Sequence, residues 1–193
     1  EAEQLFVAGL LHDIGKLLLV PYLADQPKRP DGGPPIAELA KRAPGMDRSD
    51  ARGLVAAALQ RAWGEGARVL LMGHSLGSVL AWDTLVTLGQ QRAAGPVELF
   101  VTLGSPLGNR FIRRRLQGAH AAGAARDPQG IARWANLCSA GDLTAMGRRF
   151  SEVFAPMREL GLVGEISDHL GLLNPFTGAE GLNVQKCYGY FVN

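Results

Sequence analysis

The feature that most constrains the fold of this chain is a short apolar run, residues 69–72, that leads directly into a glycine-bracketed turn, residues 73–77. Four consecutive apolar residues without alternation are typical of a strand that is buried on both faces. The turn has the sequence Gly-His-Ser-Leu-Gly, and residues 78–90 after it have the pattern of a helix. We therefore predict a strand, a sharp turn and a helix in this order.

Strands and helices alternate in the rest of this region. Residues 97–103 predict a second strand and residues 133–138 a third, with a helix-like segment at residues 109–117 between them. Upstream, residues 49–63 place apolar side chains on one helical face, and Ser49 is suited to cap that helix. Such alternation is typical of a parallel sheet covered on both faces. The predicted fold class is α/β, with a mostly parallel sheet covered by helices and a helical N-terminal segment before it.

The N-terminal part of the chain has a different pattern. Apolar residues at helical spacing between residues 3 and 20 predict an amphipathic helix that ends before Pro21. Residues 21–48 are rich in proline and glycine and predict an irregular connection. We therefore divide the chain into residues 1–48, the N-terminal helix with its connection, and residues 49–193, an α/β domain.

The composition excludes several classes of protein. With 193 residues, 47% hydrophobic and 20% charged, the chain is long and apolar enough to bury one core, so it is not a disordered protein. A formal net charge of +2 is too small to indicate nucleic-acid binding. Cys138 and Cys187 are the only two cysteines. We expect them to be buried free thiols in a reducing cytosol, since two cysteines make no disulfide framework.

No targeting or membrane segment is predicted. The most apolar stretch, residues 5–20, contains Asp13 and Lys16 and is too short and too polar to span a bilayer. The acidic start is unlike the basic start of a signal peptide. We expect a cytoplasmic protein without stable membrane insertion. Because residue 1 is not Met, we also expect that the chain is processed or part of a longer product.

The serine at the centre of the turn has a setting suited to nucleophilic chemistry. A sharp turn between a strand and a helix strains the backbone of Ser75, and the flanking glycines leave room for it. This presents the hydroxyl at the carboxyl edge of the sheet. The N–H of Leu76, at the start of the helix, is suited to stabilise an oxyanion. The alternative is a glycine-bracketed turn whose serine has no chemical role.

A serine nucleophile needs a base, and the chain has four histidines. His74 neighbours the serine within the turn, where its side chain does not easily reach back to the hydroxyl. His120 lies in a Gly/Ala-rich stretch, and His12 lies on the predicted N-terminal helix. His169 follows an apolar segment, in a predicted loop. We therefore select His169 as the base.

The imidazole in turn needs a carboxylate that fixes its tautomer. Asp142 follows the third predicted strand, which places it at the same sheet edge as Ser75 if the strands are parallel. Asp168 adjoins His169 and is expected to point elsewhere, and Asp127 lies in a polar loop. We therefore favour Asp142, which also gives the chain order serine, aspartate, histidine.

From about residue 68 to the C-terminus the chain resembles a serine esterase of the α/β-hydrolase superfamily, on the lipase and carboxylesterase side. The resemblance implies Ser75 as nucleophile, His169 as base, Asp142 as acid and the Leu76 N–H as one oxyanion donor. It also implies a substrate pocket, to which we assign His74 and Ser105. The segments that carry it are residues 69–78, 101–108, 134–136, 141–144 and 168–169.

The same resemblance implies a partial α/β-hydrolase fold. In this superfamily the second oxyanion N–H usually comes from a glycine-bearing loop after an earlier strand, and we identify no such strand in residues 1–67. Residues 69–72 would then form an edge strand that is apolar on both faces, a template for association. We therefore expect a homo-oligomer, such as a two-fold dimer, in which another chain or an exchanged N-terminal helix covers this edge.

Residues 4–19 resemble the metal-binding helix of the HD phosphohydrolase superfamily and its non-catalytic relatives. The residues that carry this resemblance are 10–16, with the sequence Leu-Leu-His-Asp-Ile-Gly-Lys. That family's site also needs a histidine upstream, and none precedes His12 here. We expect an orphan helix, and no divalent metal held tightly by His12 and Asp13.

A basic cluster, defined as Arg110, Arg113, Arg114 and Arg115, has two interpretations. It is either a binding surface for phosphate or an acidic membrane, or a solvated helix face, which is the commoner case.

The sequence thus predicts an enzyme that hydrolyses small carboxylic esters with short to medium acyl chains through an acyl-serine intermediate. It implies no cofactor and no nucleic-acid partner. The alternative is a non-catalytic binding or signalling module on a hydrolase scaffold, with the HD-like helix as a docking element.

Overall fold

The computed structural model describes residues 5–10, 48–142, 145, 149–178, 181–184 and 186–191, and residues 5–10 for the backbone alone. Most of this chain is a sheet with helices packed on it. The strands are β1 (Leu5–Leu10), β2 (Arg68–His74), β3 (Val97–Leu103), β4 (Ile131–Ser139), β5 (Val163–Leu172), β6 (Thr177–Gly178) and β7 (Gly181–Leu182). The α-helices are α1 (Arg48–Gly64), α2 (Leu76–Gln90), α3 (Arg110–Arg113), α4 (Phe150–Val153) and α5 (Ala155–Glu159). Short 3-10 helices span Pro106–Gly108, Gly123–Arg126 and Cys187–Phe191.

The main sheet has five strands in the order β1-β2-β3-β4-β5, and every neighbouring pair is parallel. The α/β prediction with a parallel sheet is confirmed. Helix α1 and helix α2 are each close to their predicted bounds, as are β2, β3 and β4. The other two strands differ from the sequence-based prediction.

The N-terminal helix prediction is wrong for residues 5–10. These residues form β1, which pairs with β2 from Leu5 opposite Arg68 to Leu10 opposite Gly73. A continuous apolar run of this length fits a buried strand as well as a helix, so periodicity alone does not separate them. Residues 11–47, which include the rest of the predicted helix, His12 and Asp13, lie outside the described residues.

The same pairing corrects the prediction that no strand precedes residue 68. Strand β2 is an interior strand, because β1 covers one edge and β3 the other. The homo-oligomer was expected because β2 was thought to have an uncovered edge. In the structure β1 covers this edge within one chain. The oligomeric state stays a prediction, and so does the division of the chain at residue 48, although β1 shares the sheet of the later strands.

Within the described residues the α-helices pack on one face of the sheet, whereas helices on both faces were predicted. Apolar residues of α1, α2, α4 and α5 belong to one buried cluster with alternate residues of the central strands. Right-handed crossovers between strands that follow one another in chain order place the described α-helices on the same side. On the other face, Val101 and Leu103 pack with Cys187 and Tyr190 of the C-terminal 3-10 helix.

Strand β5 is the second element that the sequence analysis missed. We expected a loop around His169, but residues Val163–Leu172 pair with β4 over its full length. The predicted helix at residues 109–117 is also shorter, since α3 ends at Arg113. One smaller expectation is confirmed: Cys138 and Cys187 are buried and form no disulfide. In the described part of the chain no helix is long and apolar enough to cross a membrane.

An aromatic cluster forms the centre of the helix-covered core. The ring of Trp134, 1% exposed, lies 4.9 Å from that of Phe154 and 5.3 Å from those of Phe100 and Phe150. Its indole N–H donates to Thr102 Oγ1 at 3.1 Å. One side chain thus joins β3, β4 and the helices that follow β4.

This packing predicts the cost of removing the ring. We expect Trp134→Ala to lower the free energy of unfolding by about 3–5 kcal/mol, because a large cavity is left among aromatic neighbours. Phe111→Ala is the matched control, since Phe111 is 67% exposed and its removal is expected to change stability by less than about 0.5 kcal/mol. Urea unfolding followed by circular dichroism measures both, and equal losses would contradict this account of the core.

Candidate active site

The turn between β2 and α2 has the strained geometry that the sequence predicts. Ser75 has φ 50° and ψ −124°, a left-handed backbone conformation that non-glycine residues rarely adopt. A Cβ on Gly73 would lie 2.6 Å from the Cα of Ser78, so only glycine fits there. The backbone of the helix start therefore passes directly against the end of β2, which forces the sharp turn.

Neighbouring elements hold this turn in place. The N–H of Ser75 donates to the carbonyl of Leu103, at the end of β3, at 2.9 Å. The carbonyl of Ser75 accepts from the N–H of Ser78 at 3.0 Å and from its hydroxyl at 2.5 Å. Leu76, which is 51% exposed, is the first residue of α2, so its N–H belongs to the first turn of the helix. N–H groups of that turn have no acceptor within the helix, and the helix dipole favours negative charge there.

Asp142 lies at the same sheet edge, as predicted, and is 1% exposed. It follows β4, and a Cβ on Gly104, just after β3, would meet its Oδ2 at 2.6 Å. Gly104 also has a φ of +51°, so both its backbone and the available space require glycine. The carboxylate therefore lies against the end of β3, the strand that also holds the N–H of Ser75.

Tyr190 is the residue of this site that the sequence analysis did not assign to it. Its hydroxyl lies 3.3 Å from Asp142 Oδ2 and 3.2 Å from Ser139 Oγ, and it accepts the N–H of Ser139 at 3.1 Å. Its ring meets that of His74 edge-on, with centroids 6.1 Å apart. The C-terminal segment thus closes the site over Asp142. The aromatic residues near the C-terminus indicated a docked helix, but only the fold shows where it docks.

Burial fixes the protonation of two groups beside this site. It raises the pKa of Tyr190 to about 12, and the charge of Asp142 acts in the same direction, while the hydrogen bonds between Tyr190 and Ser139 oppose it. Burial also raises the pKa of Cys187 to about 12, with a smaller opposing effect of Lys186. Near neutral pH, Tyr190 therefore stays a neutral hydroxyl that can donate to the carboxylate. Cys187 stays a thiol and is poorly suited to act as a nucleophile.

The structure does not bring His169 to Ser75. His169 lies within β5, exposed, and its ring nitrogen Nε2 is 3.3 Å from Ser167 Oγ. The strand register places His74, Leu103, Leu137 and His169 in one row across the sheet. Three strand spacings separate the first and last of these, about 14 Å. A hydrogen bond to a nucleophile needs about 3 Å, so in this conformation the imidazole is out of reach.

Asp168, the carboxylate that we set aside, has a structural role. Its oxygens accept the N–H of Phe150 at 2.8 Å, the N–H and hydroxyl of Ser151 at 2.9 and 2.6 Å, and the side-chain amide of Asn136 at 2.9 Å. These bonds attach the start of α4 to the sheet. Asp168 is therefore engaged in structural hydrogen bonds, and the choice of Asp142 as the acid stays a prediction.

The two predicted pocket residues are buried. The hydroxyl of Ser105 lies 2.6 Å from that of Ser78 and accepts the N–H of Leu107 at 3.2 Å, so it supports the turn around Ser75. His74 is 3% exposed and faces Tyr190. Direct contact of either residue with a substrate stays a prediction.

The last residues that the sequence analysis considered are His120, which was not selected as the base, and the pair His12 and Asp13. His120 is exposed, in the loop before β4. Among the residues that the structure describes, no group of three metal-ligating side chains converges. His12 and Asp13 lie outside those residues, so the expectation that they hold no metal is untested.

No family model matches this chain, and no curated protein matches it either. The geometry of the site therefore carries the functional argument, without support from a relative.

The contacts of Asp168 predict a pH-dependent contribution to stability. Burial by itself raises the pKa of Asp168, but the hydrogen bonds from Ser151, Asn136 and Phe150 outweigh it and hold the pKa below its usual value of 3.8. A lowered pKa in the folded state stabilises the protein above the unfolded value of about 3.9, and this stabilisation is lost as the pH falls through the folded value.

We expect Asp168→Asn to lower the free energy of unfolding by about 1–3 kcal/mol at pH 7, because buried donors lose a charged acceptor. The difference from the wild type should shrink below about pH 4. Glu165→Gln is the control, an exposed carboxylate on the same strand. A difference that is unchanged between pH 7 and pH 3 would contradict the assigned role of the ionised carboxylate.

Proposed function

We propose that this protein hydrolyses carboxylic esters through an acyl intermediate on Ser75, in a partial α/β-hydrolase fold. The observation that carries the proposal is the backbone of Ser75, with φ 50° and ψ −124° between a buried parallel strand and a helix start. Such strain costs on the order of 1–3 kcal/mol, and residues that keep it cluster at functional sites. A serine with no chemical role would gain stability from an unstrained turn.

The geometry supports the first step of acyl transfer. Ser75 Oγ attacks the ester carbonyl while a base accepts its proton, and negative charge develops on the former carbonyl oxygen. The N–H of Leu76, at the start of α2, is suited to donate to that oxygen. The alcohol leaves with a proton from the protonated base, and water then attacks the acyl-serine to release a carboxylate and restore the hydroxyl.

The proposed triad needs a base, and His169 lies on β5, beside Ser167. The resemblance assigns the role of base to His169, with Asp142 as the acid. His169 is able to serve only if β5 and its side chain together close most of the separation of about 14 Å between their row position and the Ser75 turn. Catalytic hydrogen bonds often tighten when substrate binds, but a separation of three strands needs a larger rearrangement, so His169 as base requires movement of β5.

The separation between His169 and Ser75 favours a second function. A non-catalytic binding module on this scaffold would keep the strained turn and the buried carboxylate without placing a base at Ser75. Asp142 would then be a structural group that the hydroxyl of Tyr190 helps to hold, at 3.3 Å. The two functions differ in whether Ser75 is reactive.

The first experiment labels the protein with a fluorophosphonate probe, which reacts with activated serines. We expect wild-type protein to be labelled and to hydrolyse p-nitrophenyl butyrate, and Ser75→Ala to lose both, because the hydroxyl is the nucleophile. Ser151→Ala is the matched control, since its hydroxyl binds Asp168, away from the proposed site. A folded wild-type protein that takes no label would support the binding module.

A second experiment tests the base. We expect His169→Ala to lower the rate of probe labelling by several orders of magnitude, because an alcohol without a base is a weak nucleophile. His120→Ala, an exposed histidine in a loop, is the control. If His169→Ala is labelled as fast as the wild type while Ser75→Ala is not labelled, Ser75 is the nucleophile and the base is another group.

A further inference from the structure

A second cleft lies outside the Ser75 site. Its volume is about 290 Å³, and its walls come from α2, the end of α3, the segment between α3 and β4, and the α4–α5 region. Trp82, which contributes to the wall from α2, follows Ser75 by seven residues, about 10 Å along the helix axis. Neither Ser75 nor Asp142 lines this cleft.

The floor of the cleft is apolar. Trp82, Leu116, Phe154 and Met157 are all less than 10% exposed, whereas Leu160, at 54%, lies toward solvent. A volume of about 290 Å³ lies near the lower end of the range for small-molecule sites. The cleft therefore suits a small ligand with an apolar body.

Two buried hydrogen-bond donors on these walls have no acceptor within the described part of the chain. They are the indole Nε1 of Trp82 and the guanidinium Nε of Arg113. An unsatisfied buried donor is costly, and both groups only donate, so a ligand that satisfies them must bring acceptors. The other two tryptophans differ, because Trp63 donates to the Pro96 carbonyl and Trp134 to Thr102.

The charges of the cleft favour a monoanion. Arg113 and Arg126 line it together with one acid, Asp127. Two positive charges and one negative charge give a net charge of +1. Burial raises the pKa of Asp127, and the neighbouring Arg126 opposes this. A single carboxylate matches this balance better than a phosphate with two charges does, and the planar fork of arginine can bind a carboxylate with two hydrogen bonds.

We propose that this cleft binds a small amphipathic carboxylate, whose oxygens accept hydrogen bonds from Arg113, Arg126 and the indole of Trp82 and whose aliphatic tail packs on the apolar floor. This proposal is independent of the chemistry at Ser75. Within the basic cluster, the proposal gives Arg113 a role in binding the carboxylate. Its exposed neighbour Arg110 does not line the cleft and has no such role.

Octanoate, which has ten non-hydrogen atoms, is the probe, and the indole N–H resonances of 15N-labelled protein are the readout. We expect saturable binding that shifts the Trp82 resonance, assigned with Trp82→Phe, and leaves those of Trp63 and Trp134 in place. Octanol has the same tail without the charge, and acetate has the charge without the tail. Both should bind at least about tenfold more weakly, since each lacks one of the two contributions.

Matched variants locate the anion. Arg113→Gln should weaken octanoate binding at least about tenfold, because a charged hydrogen bond is lost, whereas Arg110→Gln on the same helix should change it less than twofold. Asp127→Asn should tighten binding, since a like charge is removed. Equal losses in Arg110→Gln and Arg113→Gln, equal binding of octanol and octanoate, or an unshifted Trp82 resonance at saturation would each overturn the proposal.

Circular dichroism establishes that each variant is folded. If Arg113→Gln does not fold, Arg126→Gln takes its place, because Arg126 is exposed and its loss leaves the core intact. Whichever arginine variant is used, the proposal is tested by whether octanoate shifts the Trp82 indole resonance of the wild-type protein. Octanoate bound at Ser75 alone would shift no indole resonance of the second cleft, so the two sites are distinguishable.

Discussion

The parallel pairing of β2, β3 and β4 is the constraint on which the site depends. Each strand ends at the same edge, and the backbone hydrogen bonds that continue past the strand ends hold the loops in register. The N–H of Ser75 bonds to Leu103, and the N–H of Gly104 bonds to Leu137 at 2.9 Å. The turn that carries Ser75 and the loop that carries Asp142 are therefore both attached to the end of β3.

Two glycines then allow neighbouring elements to approach the strand ends closely at that edge. Gly73 lets the start of α2 approach β2, and Gly104 lets Asp142 and Tyr190 approach β3. The C-terminal 3-10 helix closes the arrangement, because the hydroxyl of Tyr190 bonds to Ser139 beside the end of β4. A buried neutral tyrosine next to a carboxylate links residues about fifty positions apart in the sequence.

The sequence predicted the elements with clear patterns and missed those with ambiguous ones. Strands β2, β3 and β4 are dominated by apolar residues, and α1 and α2 have apolar faces, so their pattern identified them. Strand β5 carries Glu165, Asp168 and His169, because an edge strand meets solvent and needs few apolar residues. Strand β1 is apolar, but its residues also fit helical spacing, and only its pairing with β2 distinguishes the two.

The sequence by itself determined the nucleophile candidate, because a glycine-bracketed serine between a strand and a helix is a local pattern with a local physical cause. It also determined the place of Asp142, since parallel strands end at one edge. Only the tertiary structure decided that Asp168 attaches α4 to the sheet, that Tyr190 contacts Asp142, and that His169 lies three strands from Ser75. Those facts depend on strand order and register, which long-range packing sets and no short stretch of sequence encodes.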